Sequence, residues 1–589
     1  MPISKHRSPE GRVVRRSCNI ATSFGALLLA VAALTAGRAD ASSPYLEPPE
    51  RFVFDGKNDD LLTAGLGPAG LATPPTGADP ERLAEWTERR RRAIHQNWRA
   101  LVDLRRWSYG IDIRIAGIEY IAHVGSDGKI PGSSFLLQIP ATFDPSKPCL
   151  LLTAASGSRG IYGSLPTVGQ WGLRRGCAVV SDDKGLGMRV ADPTNGWQVT
   201  ATGRIESTSK IDTPFAHALQ IAHAHTAFDS EANWGRMLLR SGKLALQLLS
   251  TEFPKRKPFT PSNTLIIAAG ISNGGAAVLQ ALEADNGKFF DGAVASEPNV
   301  HLQGSPSLYD YATFHAMLQP CAVLAENLAE IPLGMVVSMN HSRHSDWCQR
   351  LTEDGWISGT DTSSRANAAR QRLLESGIEP YALRLGAVNL QFGLWTSVAA
   401  TYAQNYFRRE LAQPVCGLGF AATDVSGQPR ALTSAERAGL FSDGTGIAPT
   451  AGINLVRLDA QGLASSEAAK SYDTAKCLRE VEPKVAATTK RLAIRGEPGN
   501  RPVIVLHGRG DGLIPIAHTS RHYAERAATK NSKFRFLEVA KGQHFDAFLV
   551  IPGMEPDFAP MQPVLDRSLD DLRVFLTEGQ PLPTSGILD

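Results

Sequence analysis

The chain has 589 residues, of which 61 are Lys or Arg and 58 are Asp or Glu, so its formal net charge is only +3. With 43% hydrophobic and 20% charged residues, its composition is that of a globular protein, which excludes extensive disorder. The weak, evenly spread charge gives no support for a nucleic-acid partner, and seven cysteines are too few for a small disulfide-stapled fold.

The N-terminus has the three parts of a secretory signal peptide. Five Lys or Arg residues lie within the first sixteen positions, an uncharged apolar run covers residues 17–37, and the small-x-small site Ala39-Asp40-Ala41 follows. A membrane anchor is the alternative, because such a run could just span a bilayer. We favour a signal peptide over residues 1–41, which predicts a bacterial periplasmic or secreted protein with no stable membrane association after cleavage. Its removal takes away six basic and two acidic residues and leaves a net charge of −1.

Cleavage also removes Cys18 and leaves six cysteines, an even number that permits up to three disulfides in an exported protein. Cys149 and Cys177 lie in apolar runs typical of strands, so buried free thiols are the alternative for these two. The pattern favours disulfides among the four later cysteines, which fall in a predicted insertion. These are Cys321, Cys348, Cys416 and Cys477.

Residues 42–110 are expected to form an irregular N-terminal wrap and one exposed helix, since apolar residues recur at helical spacing over residues 80–106. From residue 111 the pattern changes to short apolar runs between turn signals. Residues 111–300 are therefore predicted to be the first part of a sheet-based core. Its predicted strands cover residues 134–139, 149–155, 176–181, 264–269 and 292–296.

Residues 301–495 are predicted to form a large, mainly helical insertion, or lid. Helices are expected over residues 367–375 and 382–409, and a loop over residues 417–453. Strand signals return at residues 502–506 and 534–539, and a final helix over residues 564–576 completes the second part of the core, residues 496–589. Continuous apolar strands that alternate with helices predict an α/β fold, with a mostly parallel sheet covered on both faces.

The strongest local signal is a G-x-S-x-G pentapeptide centred on Ser272. The predicted strand at residues 264–269 precedes it, and a small-residue helix start at residues 274–277 follows it. The nucleophile elbow of an α/β-hydrolase needs this order, because its serine sits on a strained turn that only small neighbours permit. A lone match to this motif is often coincidence, and the strand and helix around it favour Ser272 as a catalytic nucleophile.

An α/β-hydrolase also requires an acid after a later strand and a histidine after the last. Asp511 follows the strand at residues 502–506 in a glycine-rich loop, and His544 follows the strand at residues 534–539. We therefore predict that His544 acts as general base and then general acid, and that Asp511 orients it and stabilises its imidazolium.

Alternatives to these two assignments exist. Asp511 could cap the following turn and nothing more. His507 also follows a strand and is a rival base, although its loop offers no second acid. Asp546 stands two residues from His544, and it is expected to point elsewhere.

An oxyanion hole needs two preorganised donors. The first predicted donor is the backbone N–H of Asn273, directly after the nucleophile. The second is expected from the small-residue loop after the strand at residues 149–155, from the N–H of Gly157 or Ser158. The alternative is that this loop is only a tight turn.

Two groups of residues that include histidines are candidate metal ligands. They are His217, His223 and His225, and His341, His344, Asp346 and Cys348. Neither group has the ligand spacing of a zinc site, so we predict no metal, and serine chemistry needs no cofactor. The first group is instead expected to line a substrate pocket or pack near it.

Three segments resemble the bacterial 3-hydroxybutyrate oligomer hydrolases. They are residues 270–275 (GISNGG), residues 215–225 with Asn233-Trp234-Gly235 downstream (FAHALQIAHAH…NWG), and residues 308–321 (LYDYATFHAMLQPC). The last two are not general hydrolase motifs, and the resemblance extends from about residue 45 to the C-terminus. It implies that Ser272 is the family's nucleophile, whereas Asp511 and His544 rest on the strand order alone. It further implies an esterase that cleaves short, soluble (R)-3-hydroxybutyrate oligomers to monomer during poly(3-hydroxybutyrate) degradation.

Other functions compete with this one: a secreted tannase or feruloyl esterase, a peptidase of the same fold, and a non-catalytic binding protein on a hydrolase scaffold. Tannases and feruloyl esterases typically place cysteines beside the nucleophile and the histidine, and here neither Ser272 nor His544 has a neighbouring cysteine. The intact Ser–Asp–His order counts against a non-catalytic protein.

Overall fold

Ten strands form the central sheet of the protein. The computed structural model describes residues 43–106, 114–187, 189–226, 228–442, 452–459, 461–555 and 557–589, so the predicted signal peptide lies outside the described residues. The strands are β1 Glu50–Phe54, β2 Gly117–Val124, β3 Ser133–Pro140, β4 Cys149–Ala154, β5 Ala178–Asp182, β6 Leu265–Ile271, β7 Gly292–Ser296, β8 Val503–Gly508, β9 Phe534–Val539 and β10 Gly586–Leu588.

The strand order is β1-β2-β3-β5-β4-β6-β7-β8-β9-β10. The first three pairings, up to that of β3 with β5, are antiparallel, and every pairing from β5 to β10 is parallel. The predicted mostly parallel sheet is therefore confirmed. Parallel neighbours require crossover connections, which the helices between the strands supply.

The longer helices are α1 Trp86–Leu101, α2 Trp234–Glu252, α3 Asn273–Asp285, α4 Leu308–Ala322, α5 His341–Glu353, α6 Thr362–Glu375, α7 Leu394–Phe407, α8 Tyr472–Glu480, α9 Glu482–Leu492, α10 Ser520–Lys530 and α11 Gln562–Glu578. Helices cover both faces of the sheet. In β4, Leu150 and Leu152 belong to the apolar core on the side of α2 and α3. Leu151, between them, belongs to the core on the opposite side, together with Trp98 of α1 and Leu569 of α11. Burial on both faces explains why these strands are continuously apolar.

The segment between β7 and β8 is mainly helical and contains α4 to α9. It also contains a four-stranded antiparallel sheet formed by Leu418–Thr423, Pro429–Arg430, Ile453–Leu458 and Ala464–Ser465. The predicted loop over residues 417–453 was therefore wrong in part, because this range contains a strand with buried Leu418 and Phe420 and the short helix Ser434–Gly439; residues 443–451 of the range lie outside the described residues. The many small residues of this segment obscured the alternating pattern. Core and insertion lie in one compact unit, Pro44–Asp589.

All six cysteines of the described chain form disulfides, Cys149–Cys177, Cys321–Cys348 and Cys416–Cys477. The expectation for the four later cysteines is confirmed, and the alternative of free thiols at Cys149 and Cys177 was wrong. Cys149 begins β4 and Cys177 directly precedes β5, its parallel neighbour, so the two side chains meet at the same end of the sheet.

None of the helices in the described part of the chain combines the length and the apolar character that crossing a membrane requires.

Candidate active site

The three predicted catalytic residues follow the carboxyl ends of three parallel strands. Ser272 follows β6, Asp511 lies in the loop after β8, and His544 lies in the loop after β9. The carboxyl ends of parallel strands meet at one edge of a sheet, where ligands of open α/β sheets bind. The strand order β6-β7-β8-β9 thus gathers residues that are far apart in the sequence.

Ser272 occupies a strained turn between β6 and α3. Its backbone has φ 58° and ψ −124°, a conformation that costs energy in a residue with a side chain. Its N–H donates to Ser296 O (2.9 Å), which ties the turn to β7. A Cβ on Gly274 would lie 2.2 Å from Ala154 O, and one on Gly270 would lie 2.5 Å from Gly274 C. Both glycines are therefore required by close backbone contact, as the G-x-S-x-G motif implies.

Asp511 holds His544 and also caps its own loop. Its Oδ2 lies 2.7 Å from His544 Nδ1, and its Oδ1 accepts the N–H groups of Leu513 and Ile514, both at 2.8 Å. Burial by itself raises the pKa of the Asp511 carboxyl, but the neighbouring His544 and His507 outweigh it and hold that pKa below its usual range. The capping role and the orienting role are thus compatible, and Asp511 stays ionised at neutral pH.

His507 contacts the acid and does not compete for the position of the base. It lies within β8, fully buried, where Nδ1 bonds Ser520 Oγ (2.6 Å) and Nε2 donates to Ile514 O (2.8 Å). The same Nε2 is 3.2 Å from Asp511 Oδ2. Both ring nitrogens are therefore engaged. From the sequence, His507 is only a rival base, because the sequence does not indicate which way the ring of a strand-end histidine points.

Asp546 forms its side-chain hydrogen bonds away from the base. Its carboxylate accepts the N–H groups of Met561 (2.7 Å) and Gln562 (3.1 Å), at the start of α11. The expectation that it points away from His544 is confirmed.

Ser272 and His544 line one cavity of about 400 Å³. His544 is buried, and its Nε2 has no hydrogen-bond partner among the described residues. With Nδ1 fixed by Asp511, Nε2 is the nitrogen available to a proton from Ser272 or from a substrate. The structure therefore joins the Asp–His pair directly and places the serine in the same cavity.

The predicted oxyanion donors line the same cavity as the serine. Asn273 is the first residue of α3, where N–H groups have no acceptor within the helix. Gly157, at φ 54°, and Ser158 lie in the loop after β4. This placement is compatible with two sets of N–H donors aimed at one developing oxyanion.

Two further side chains support this part of the cavity, and only one of them was anticipated. Of the first histidine group, His223 lines the cavity, and its Nδ1 is hydrogen-bonded to Ser158 Oγ, whereas His217 and His225 are not part of the cavity lining. Burial, and then the nearby Lys184, lower the pKa of His223 to about 3, so its ring stays neutral. Tyr402 OH accepts from Asn273 Nδ2 (3.2 Å). Nothing in the sequence marks Tyr402, because it lies in α7, far from the motif.

The rest of the cavity wall is mostly apolar and comes from both parts of the chain. The loop after β9 supplies aromatic and aliphatic side chains, and the insertion between β7 and β8 supplies most of the remainder. Insertion residues on the wall include Leu308, Leu385, Val388, Phe392, Leu394 and Val398. Such a wall, with a few polar groups at one end, is typical of a site for a small, weakly polar ligand.

No group of three or more His, Cys, Asp or Glu side chains that could hold a metal ion occurs among the described residues.

A serine on a strained strand-to-helix turn, a later Asp–His pair and a mostly parallel sheet define the class of α/β-hydrolases. The family model of the 3HB-oligomer hydrolases matches residues 30–589. The D-(-)-3-hydroxybutyrate oligomer hydrolase of Burkholderia mallei is 33% identical over 91% of this chain and 87% of its own length, and the values for that of Burkholderia thailandensis are the same. The chain belongs to the 3HB-oligomer hydrolase family, and it is a carboxylic ester hydrolase.

Two solved structures are also similar over most of the chain. The rice cell wall degrading esterase LipA from Xanthomonas oryzae has a TM-score of 0.36 at 12% identity, and it covers 78% of this chain and 90% of its own. Candida antarctica lipase A has a TM-score of 0.34 at 12% identity, with 80% and 82% covered. Both TM-scores are below 0.5.

Proposed function

We propose that this protein hydrolyses short oligomers of (R)-3-hydroxybutyrate to the monomer, with Ser272 as the nucleophile. The observation that carries the chemistry is the cavity that holds Ser272 beside the Asp511–His544 pair. The substrate class follows from the relatives, which are named D-(-)-3-hydroxybutyrate oligomer hydrolases. Monomer release of this kind belongs to the breakdown of poly(3-hydroxybutyrate).

The first half of the reaction transfers the acyl group to the enzyme. Ser272 Oγ attacks the ester carbonyl carbon while His544 Nε2 takes the hydroxyl proton, and the carbonyl electron pair moves onto its oxygen. The N–H groups of Asn273 and of Gly157 or Ser158 stabilise that oxyanion. Its collapse breaks the ester C–O bond, the leaving alcohol takes the proton from His544, and acyl-Ser272 remains.

The second half returns the enzyme to its starting state. His544 removes a proton from water, the hydroxide adds to the acyl carbon, and the second oxyanion uses the same donors. When it collapses, Ser272 Oγ leaves and recovers its proton from His544, and a hydroxy acid is released. Asp511 remains ionised throughout, because its pKa lies below the usual range, and it stabilises the imidazolium in each half-reaction.

We also propose that the protein is exported by its N-terminal segment and works in the periplasm or outside the cell. The basic and apolar parts of residues 1–41 and the three disulfides both support this, since structural disulfides persist in oxidising compartments.

The test compares the wild-type enzyme with Ser272→Ala on a 3-hydroxybutyrate trimer and on a p-nitrophenyl ester. We expect kcat of the variant to fall by roughly 10⁶-fold on both substrates. Ser250→Ala, in α2 and outside the cavity, is the matched control and should retain activity. Activity that survives in Ser272→Ala would exclude the mechanism. Hydrolysis of the p-nitrophenyl ester or of methyl ferulate, without cleavage of the trimer, would exclude the substrate.

A further inference from the structure

A second cavity, of about 320 Å³, lies beside the catalytic one and is lined by residues of the insertion. The two cavities share the side chains of Asn389, Phe392 and Leu394. Asn389 Nδ2 donates to Gly512 O (2.9 Å), so this shared wall is fixed to the loop of the catalytic acid. Phe392 is 48% exposed although it is a large apolar residue. Phe392, exposed at the border of both cavities, is the point at which a chain-like ligand bound at Ser272 would pass from one cavity to the other.

His315 gives the second cavity a buried polar group with unused hydrogen-bonding capacity. It lines the cavity and is fully buried, and it lies against Trp395 with ring centroids 4.5 Å apart. Neither ring nitrogen has a hydrogen-bond partner among the described residues. Burial lowers the pKa of His315 to about 3, so the ring is neutral and offers one donor and one acceptor. Native proteins rarely leave such groups unpaired, and an ester carbonyl or hydroxyl is a suitable partner.

The second cavity is also positively charged. Its lining includes Arg343 and Lys470 and no Asp or Glu among the described residues. One carboxylate, Glu467, lies near both cations, 3.4 Å from Arg343 and 3.1 Å from Lys470. Two cations with one carboxylate leave a net positive charge, which suits a ligand that carries a single carboxylate.

We propose that this second cavity binds the carboxylate-terminated part of the oligomer, on the leaving-group side of the ester that Ser272 attacks. This inference rests on the proposed function. In a 3-hydroxybutyrate oligomer the free carboxylate always belongs to the alcohol side of each ester bond, because the acyl side ends in a hydroxyl. Arg343 and Lys470 bind the carboxylate, His315 hydrogen-bonds an ester or hydroxyl oxygen of the same part, and Phe392 separates it from the acyl group.

The experiment uses the trimer as free acid and as methyl ester, which lacks the terminal charge. It follows only the cleavage of the internal ester bonds, because the methyl ester is itself a bond that an esterase can hydrolyse. We expect wild-type kcat/KM to be higher for the acid, and Arg343→Gln to reduce the acid-to-ester ratio of kcat/KM about fivefold, chiefly through KM for the acid. Arg350→Gln is the matched control, because Arg350 lies in the same helix and pairs with Asp473 but does not line the cavity. This control should keep the wild-type ratio.

His315→Phe provides a second readout. We expect kcat/KM for the trimer to fall relative to that for p-nitrophenyl acetate, which is too short to reach the second cavity and reports on intact catalysis. A ratio of acid to methyl ester that Arg343→Gln leaves unchanged, or a loss that Arg350→Gln reproduces, would overturn the subsite. If the wild-type enzyme cleaves p-nitrophenyl acetate but neither trimer, the proposed function itself fails, and the subsite with it.

Discussion

The Asp511 carboxylate carries more contacts than an orienting group alone needs. It accepts two backbone N–H groups on one oxygen and meets His544, with His507 close by, on the other. The loop contacts fix the direction of the carboxylate. The carboxylate in turn holds the His544 ring in one orientation, with Nε2 toward the cavity. Backbone donors therefore set the geometry, and the carboxylate charge sets the tautomer of the histidine.

Replacing Asp511 by asparagine separates these two roles. The new side chain would keep an oxygen for the N–H groups of Leu513 and Ile514, but its amide offers His544 no negative charge and favours the wrong tautomer. We expect Asp511→Asn to lower kcat about 10⁴-fold on a p-nitrophenyl ester. Asp546→Asn, two residues from His544, should lower kcat by no more than a few fold. Equal losses in the two variants would contradict the assignment of Asp511.

The buried carboxyl of Glu231 makes the stability of the folded protein depend on pH. Its carboxyl is buried and accepts the Tyr406 hydroxyl (2.6 Å), and burial raises its pKa to about 7 from 4.5. Because the folded state binds this proton more tightly than the unfolded state, its stabilising contribution is complete below pH 4.5 and is lost as the pH rises through 7.

The Glu231→Gln variant has a side chain at position 231 that does not titrate. We therefore expect its free energy of unfolding, relative to the wild type, to increase by about 3 kcal/mol between pH 4 and pH 8. Urea unfolding of both proteins at several pH values measures this difference. A difference that is constant across the range, or that decreases, would show that Glu231 is ionised in the folded protein.

At the scale of elements, α3 packs tightly against the end of β4. Gly274 faces Ala154 O, just before the loop that carries Gly157 and Ser158. The absence of a side chain at position 274 thus lets α3 pack against the end of β4, beside the loop with the second set of predicted oxyanion donors. Helix and strand must both be present for the site to form.

Gly274→Ala should therefore damage stability and catalysis together. The added Cβ meets a backbone oxygen at 2.2 Å, which no side-chain rotation relieves. We expect a loss of about 3 kcal/mol or more in the free energy of unfolding, with a lower kcat in any protein that folds. Gly160→Ala, in the nearby loop, has no atom within 4 Å of its added Cβ and serves as the control. Equal stability of the two variants would show that the helix can move away.

The sequence predicted those elements whose pattern is local. The central parallel strands are apolar throughout because two layers of helices bury them, and this pattern is visible without a structure. The order of Ser272, Asp511 and His544 follows from those strands. By contrast, Leu418–Thr423 is stabilised by pairing with Ile453–Leu458, a strand much later in the chain, and local composition does not report that partner. The cysteine pairs and the role of His507 likewise depend on neighbours in space.

At the scale of the whole molecule, the core supplies the chemistry, and the core and the insertion together give the cavity its shape. The core holds Ser272, Asp511 and His544, whereas the insertion provides Tyr402 and shares the apolar wall with the loop after β9. A motif search locates the first set because the chemistry restricts those residue types. It does not locate the second, because Leu, Val and Phe on a cavity wall follow the same periodicity as Leu, Val and Phe in a core.

The disulfides connect the proposed export with stability. Cys416–Cys477 closes a loop of 61 residues within the insertion, and Cys321–Cys348 and Cys149–Cys177 close loops of 27 and 28. Closing a loop of about 60 residues removes unfolded-state entropy worth about 4 kcal/mol. A chain that folds in a reducing compartment does not form these disulfides and lacks their contribution to the free energy of unfolding. Residues 1–41 carry the only cysteine outside the three pairs, Cys18, so a chain cleaved after Ala41 has no unpaired cysteine.

We therefore expect the protein secreted through its own N-terminus to titrate with no free thiol when it is denatured without reductant. Cys416→Ser with Cys477→Ser should lower the free energy of unfolding by about 4 kcal/mol, because only the unfolded state gains freedom. Chain made in the cytoplasm without residues 1–41 should show six reactive thiols and regain stability on oxidation. Free thiols in the exported protein, or a double variant as stable as the wild type, would contradict the structural role of these bonds and remove their support for export.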